Sequence, residues 1–185
     1  MRYRRFFVLA ALAGTLALGG CVSAQLTNSK TLAAPATQAP LERVVLAVRP
    51  SGADKSGGAE LFDELLPHLA DRLPKVFSAN GLDTRVLGVS KFGPEDEAWK
   101  GPSLRVLTVT PLIARATKRA GQVLRFRAVL LDPAKNAPLW RADLSVTSKG
   151  DPDDDRIADE LAVKLLEALR AANMARASDR AVHLP

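Results

Sequence analysis

One cysteine and two histidines are all that these 185 residues offer to thiol, imidazole and soft-metal chemistry. With Cys21 alone, no intramolecular disulfide can close and no zinc site can be built from cysteines. His68 and His183 do not form an H-E-x-x-H pair, so a zinc-hydrolase centre is not expected, and no metal or cofactor is called for. A hydrolytic triad needs a base within reach of a nucleophile. His68 falls in a proline-containing helical stretch and His183 near the end of the chain, where a solvated or partly packed imidazole is the simpler expectation. Gly52, Gly57 and Gly58 surround Lys55-Ser56 without the G-x-x-x-x-G-K-[ST] order that cradles phosphates, so that stretch reads as a flexible loop. No internal period of about 20–50 residues is visible, which argues against a solenoid or propeller.

Long apolar runs are also missing. The longest, Phe6 to Leu18, is broken only by Gly14 and Thr15 and falls short of the roughly 20 residues a spanning helix needs. It follows the basic start Met1-Arg-Tyr-Arg-Arg5, and together they read as the n- and h-regions of a signal peptide over residues 1–20. The next residues, Leu18-Gly19-Gly20-Cys21, resemble the lipobox of bacterial lipoproteins. That resemblance implies diacylglyceryl transfer to the Cys21 thiol, cleavage before it and acylation of the new amino group. Thiolate nucleophilicity suits the first step, and two or three acyl chains make a stable anchor where one gives marginal binding. Val22 follows where the family places Asp for inner-membrane retention, so the resemblance implies an outer-membrane, periplasm-facing location.

Charge needs the same division. The formal +6 includes Arg2, Arg4 and Arg5, and without them the balance is +3. With no recognition-helix or RNP-like motif, and with export expected, nucleic acid is not an expected partner.

The remaining chain has ordinary globular composition, 47% apolar and 25% charged, enough for one core. Residues 21–41 (CVSAQLTNSKTLAAPATQAPL) show no sustained period and read as a lipidated flexible tether, reaching roughly 65 Å when extended. A globular domain is expected over 42–175 and a loose tail over 176–185. Arg43 to Arg49 (RVVLAVR), ended by Pro50-Ser-Gly, predicts a buried strand. Leu61, Phe62, Leu65, Leu69, Leu73, Val76 and Phe77 predict an amphipathic helix stopped by Asn80-Gly81, with a kink or a break into two at Pro67 and Pro74. Thr84 to Ser90 and Leu104 to Thr110 predict strands, the second extending through Ala114 to Thr117 past a bulge or edge at Pro111. Leu124, Phe126, Ala128 and Leu130 alternate on one face, as do Trp140, Ala142, Leu144 and Val146, around the turn Asp132 to Pro138: an antiparallel hairpin. Ile157, Leu161, Leu165 and Leu169 predict the last helix, with acids at its start and Asn173 at its end.

This order predicts an α+β fold, a mainly antiparallel sheet of four to five strands with two helices on one face and the other face more open. The strand VVLAVRP, the helix end Ala79-Asn-Gly81, the hairpin LLDPAKNAPLWRADLSV and the helix ADELAVKLLEALRAA are similar to those of small periplasmic domains. The similarity is to the N-terminal domain of the Tol-system propeller protein, the curli-secretion lipoprotein and the lipoprotein activators of penicillin-binding proteins.

Asp151 and Asp153 to Asp155 carry oxygens that calcium favours, but not at EF-hand spacing, and helix capping accounts for them. Glu95, Asp96 and Glu97 follow Gly93-Pro94 in a polar stretch and read as a solvated loop. Arg125, Arg127 and Arg141 alternate away from the apolar hairpin face, with Asp143 placed to pair with one of them. The functional expectation is therefore a non-enzymatic envelope module, anchored by lipid on Cys21, that docks an envelope protein or cell-wall component through the sheet face bearing these arginines. An envelope enzyme using carboxylates and a subunit of an oligomeric export assembly are the alternatives.

Overall fold

Strict alternation in the hairpin has the structural consequence that periodicity demands. In the computed structural model, which describes residues 21–32, 40–49, 59–87, 104–117, 121–149, 153–176 and 182–184, Leu124, Phe126, Ala128, Leu130, Trp140, Ala142, Leu144 and Val146 are all buried on one face of the sheet. The elements in chain order are β1 (Val22–Thr31), β2 (Arg43–Val48), α1 (Ala59–Ala79), β3 (Asp83–Leu87), β4 (Val106–Thr117), β5 (Gly121–Asp132), β6 (Ala137–Ser148) and α2 (Asp154–Ala171). They form an α+β fold in which both helices cover the same face of one six-stranded sheet, ordered β1-β6-β5-β4-β2-β3.

The sheet is mixed. β1, β6, β5 and β4 pair antiparallel, whereas β2 pairs parallel with both β3 and β4. Parallel neighbours cannot be joined by a tight turn, and α1 supplies the crossover from β2 to β3.

The sheet has six strands where four to five were expected, and three expectations about single segments are also corrected. Residues 21–41 are not a tether throughout, because Val22–Thr31 is an edge strand paired with β6 from Val22↔Ser148 to Thr31↔Trp140. Val22 is buried, Ala24 packs on the core, and the Ser29 hydroxyl accepts the Trp140 indole N–H at 3.0 Å. An edge strand with one face half exposed needs little apolar periodicity, and its ladder is polar backbone, so composition alone reads it as linker. Residues 33–39 lie outside the described residues.

Second, α1 is not broken into two: it runs as one helix of 21 residues through Pro67 and Pro74. Pro67 is exposed and Pro74 half-buried, while the flanking Leu66, Leu69, Leu73 and Val76 are buried. The missing amides thus fall toward the outer side, where a helix tolerates longer hydrogen bonds as it curves over a core. Asn80-Gly81 ends it as expected: Gly81 has φ 84°, and Asn80 and Leu82 both donate to the Phe77 carbonyl.

Third, the described part of the 176–185 tail is docked. Val182 packs on the core, and Asn80 and His183 exchange two hydrogen bonds, of 2.9 and 3.1 Å.

Pro111 lies at a register shift in β4, between Pro111 and Ile113, beyond the last β2 partner, Val48↔Val109. It therefore removes no ladder bond from β2. The face away from the helices is less open than expected, because Val45, Ala47 and Val106 are buried there with Leu87, Leu104 and Leu131 against them. The part over β1, β6 and β5 carries polar and charged side chains instead. In α2, Asp153 is the N-cap and accepts from the Asp155 amide, Asp154 and Asp155 occupy the first turn, and Asn173 follows in the left-handed region at φ 57°. Asp151, Glu95, Asp96, Glu97, Gly52, Lys55 and Gly57 lie outside the described residues.

Candidate functional site

The helix-free face is written in rungs by the strand register. One rung runs Asn28, Asp143, Arg127, Thr110, and the next Lys30, Arg141, Val129, Thr108. In the other direction come Gln25, Ser145, Arg125 and Ile113, then Ser23, Thr147, Val123 and Arg115. Side chains along each strand alternate between the faces, so these rows share one surface.

Of the three arginines expected to act together, the structure joins two. Arg127 donates from Nε to Asp143 Oδ1 at 2.7 Å and from Nη2 to Oδ2 at 3.4 Å, and Arg141 Nη2 lies 3.7 Å from the same Oδ2. The Asp143 hydrogen bond raises the Arg127 pKa against a smaller opposing desolvation. Arg125 stands apart, exposed, opposite Ser145 in β6 and Ile113 in β4, and among the described residues no carboxylate pairs with it.

Asn28, Lys30, Leu32, Arg141, Ala142 and Asp143 line a shallow depression of about 260 Å³ at the β1–β6 margin. The Thr27 hydroxyl donates to the Asp143 carbonyl at 2.7 Å and steadies its rim, where β1 shifts register between Leu26 and Asn28. Lys30 and Arg141 are directly opposite in the register. Like charges placed so are mutually destabilising, and Asp143, hydrogen-bonded to Arg127, offsets Arg141 through an ion pair at 3.7 Å and leaves Lys30 without a share in it. Such a pair is neutralised best by an anion.

Lys30 and Asn28 were hidden from sequence reasoning because β1 reads as linker. Their signal was the short alternation Val22, Ala24, Leu26. Arg115 was legible as the outward neighbour of Ala114 once Ala114 to Thr117 is taken as strand.

Cys21 is exposed, its thiol is free, and its carbonyl accepts the Lys149 amide at 3.0 Å, so the strand begins at the residue after it. His68 is on α1 and faces α2, with Nδ1 2.6 Å from Asp155 Oδ1. Among the described residues no hydroxyl or thiol hydrogen-bonds to it, and no group of three His, Cys, Asp or Glu could hold a metal ion. No described helix is long and apolar enough to cross a membrane.

No family model and no curated protein matches the chain. Among solved structures it is similar to the PelC dodecamer from Paraburkholderia phytofirmans, at 17% identity and TM-score 0.48, covering 85% of this chain and 99% of that one. A single-substitution variant of that protein gives 18% identity and the same TM-score. A neuraminyllactose-binding hemagglutinin homolog from Helicobacter pylori follows at 9% identity and TM-score 0.40, covering 73% and 87% of the two chains. None of these is a Tol-propeller, curli-secretion or penicillin-binding-protein-activator domain, the types the sequence resembles.

Proposed function

We propose that the chain is a non-enzymatic lipoprotein of the bacterial envelope, held on the periplasmic side of the outer membrane by lipid on Cys21, whose helix-free sheet face docks an acidic envelope protein or cell-wall component. The observation that carries the binding half is the Lys30–Arg141 pair. Two cations are held directly opposite each other on a depression whose single carboxylate is already engaged by Arg127. Within the set read from sequence, Arg141 is the contact, Arg127 positions Asp143, and Arg125 lies outside the depression. The anchoring half is supported by the signal-like start, the Leu18-Gly19-Gly20-Cys21 stretch and the exposed Cys21 thiol.

Calorimetric titration with polygalacturonate, a soluble acidic polymer, tests the binding. Wild type should bind with an affinity that falls as salt rises, and Lys30→Ser with Arg141→Ser should lose about tenfold or more. Equal affinity in the double variant would remove the depression as the site. For the anchor, metabolic labelling with an alkyne fatty acid should mark the wild type and spare Cys21→Ser. Equal label on both would end the lipoprotein reading.

A further inference from the structure

Because β1 starts at Val22, a lipid on Cys21 would hang directly from the sheet with no intervening linker. We propose that the Cys21 end of the helix-free face lies on the anionic headgroups of the membrane that receives the lipid, with Arg115, Arg125 and Lys149 against phosphates and Ile113 in the interface. This rests on the reading that Cys21 is acylated.

The geometry comes from the register. Val22, Ser148, Gln122 and Ala116 form the last rung shared by β1, β6, β5 and β4, so the Cys21 end of the sheet is also the end bearing Lys149 and Arg115. Arg115 is one residue inside that rung on β4, and Arg125, opposite Ile113, is three residues inside on β5. Strands sit about 4.8 Å apart, which puts β4 roughly 14 Å across the sheet from β1, within one lipid-anchored footprint. Arg115, Arg125 and Lys149 are exposed, and among the described residues none of the three has a carboxylate partner. Asp143, the acid on this face, is engaged farther along by Arg127. Ile113 is 39% exposed between these cations, one of few large apolar side chains left so open among the described residues.

Exposed cations around an exposed aliphatic side chain match the chemistry of an anionic bilayer surface. Each basic residue gains from the surface potential, and the apolar one gains from leaving water. Lys30 and Arg141 lie about 14 Å beyond Arg125 along the strands, four residues from the Ser145 rung, so the depression stays clear of the bilayer when only the anchor end is seated.

The test uses the lipidated full-length product, purified in detergent and reconstituted into vesicles. Acylation blocks Cys21, so Ile113→Cys and, separately, Lys75→Cys on the exposed side of α1 each give a single thiol for a nitroxide. Fatty-acid content is measured on the same samples. On phosphatidylcholine vesicles containing about 30 mol% phosphatidylglycerol, the label at position 113 should be severalfold more accessible to oxygen than to a water-soluble nickel relaxant, and the label at position 75 the reverse. Adding Arg115→Glu, Arg125→Glu and Lys149→Glu should return position 113 to the aqueous pattern with acylation unchanged.

Equal aqueous behaviour at both positions in an acylated sample would overturn the seating and leave the anchor intact. Seating at position 113 that is the same without phosphatidylglycerol would overturn the role of the cations, and with it the proposal. Absence of acyl chains would overturn the anchor and this inference together.

Discussion

At single positions the chain shows where backbone geometry leaves no choice. Gly121 opens β5 at φ 76°, and a Cβ there would fall inside the Ser148 carbonyl oxygen. Gly121→Ala should cost about 2–3 kcal/mol, combining positive-φ strain with a forced parting of β5 from β6. Urea unfolding is the measurement, and an unchanged midpoint would mean the strands do not approach so closely. His68 gives a pH signature. Its hydrogen bond to Asp155 raises its pKa above 6.5, and the same bond lowers the Asp155 pKa below 3.8. A raised histidine stabilises fully below its unfolded pKa and loses that stabilisation as pH climbs through the folded value. A lowered aspartate stabilises above its unfolded pKa and loses it as pH falls through the folded one. The pair therefore contributes most between the two unfolded values, about 4 to 6.5. His68→Gln should lower the thermal midpoint more near pH 5.5 than near pH 8, and an equal drop at both would show that the imidazole acts through packing alone.

Between elements, α1 and α2 are locked by more than their apolar stripes. Arg72 donates to Asp159 bidentately along one guanidinium edge, from Nε to Oδ1 at 2.7 Å and from Nη2 to Oδ2 at 2.5 Å, with side chains 20% and 13% exposed. Arg72→Ala strands a largely buried carboxylate and should cost about 2–3 kcal/mol, read by chemical denaturation. Replacing both partners with apolar residues of similar size should recover most of it, and failure to recover would point to a packing role for the arginine stem. Leu165 in the α2 stripe is fully buried, so Leu165→Asp should destabilise by more than about 4 kcal/mol. A folded variant with a normal midpoint would contradict that burial.

Across the whole molecule, β1 closes the sheet. It covers the free edge of β6, packs against α2, and supplies the acceptor for Trp140. A chain beginning at Pro40, harmless if the preceding residues were only linker, should instead unfold at a clearly lower temperature and self-associate through the bared β6 edge. Calorimetry and light scattering report this, and a monomer with unchanged stability would mean β1 contributes nothing. Under the proposed anchoring, the same strand leaves the domain no freedom to stand away from the bilayer, so lipid attachment and sheet orientation become one constraint.

The sequence by itself determined the elements whose apolar period is complete: the β5–β6 hairpin with its buried rows, the α2 stripe with Asp153 before it, and the stop at Asn80-Gly81. In these the local pattern and the final burial report the same physical fact, namely which side of the element meets apolar neighbours. It also put Arg125, Arg127 and Arg141 on the outer face, because a period of two separates inward from outward without knowledge of partners. Only the tertiary structure decided that Val22–Thr31 is a strand, that β2 sits parallel between β3 and β4, and that Lys30 faces Arg141. Each of these depends on which backbone lies alongside, and an edge strand draws its stability from a neighbour's unpaired amides and carbonyls more than from its own side chains.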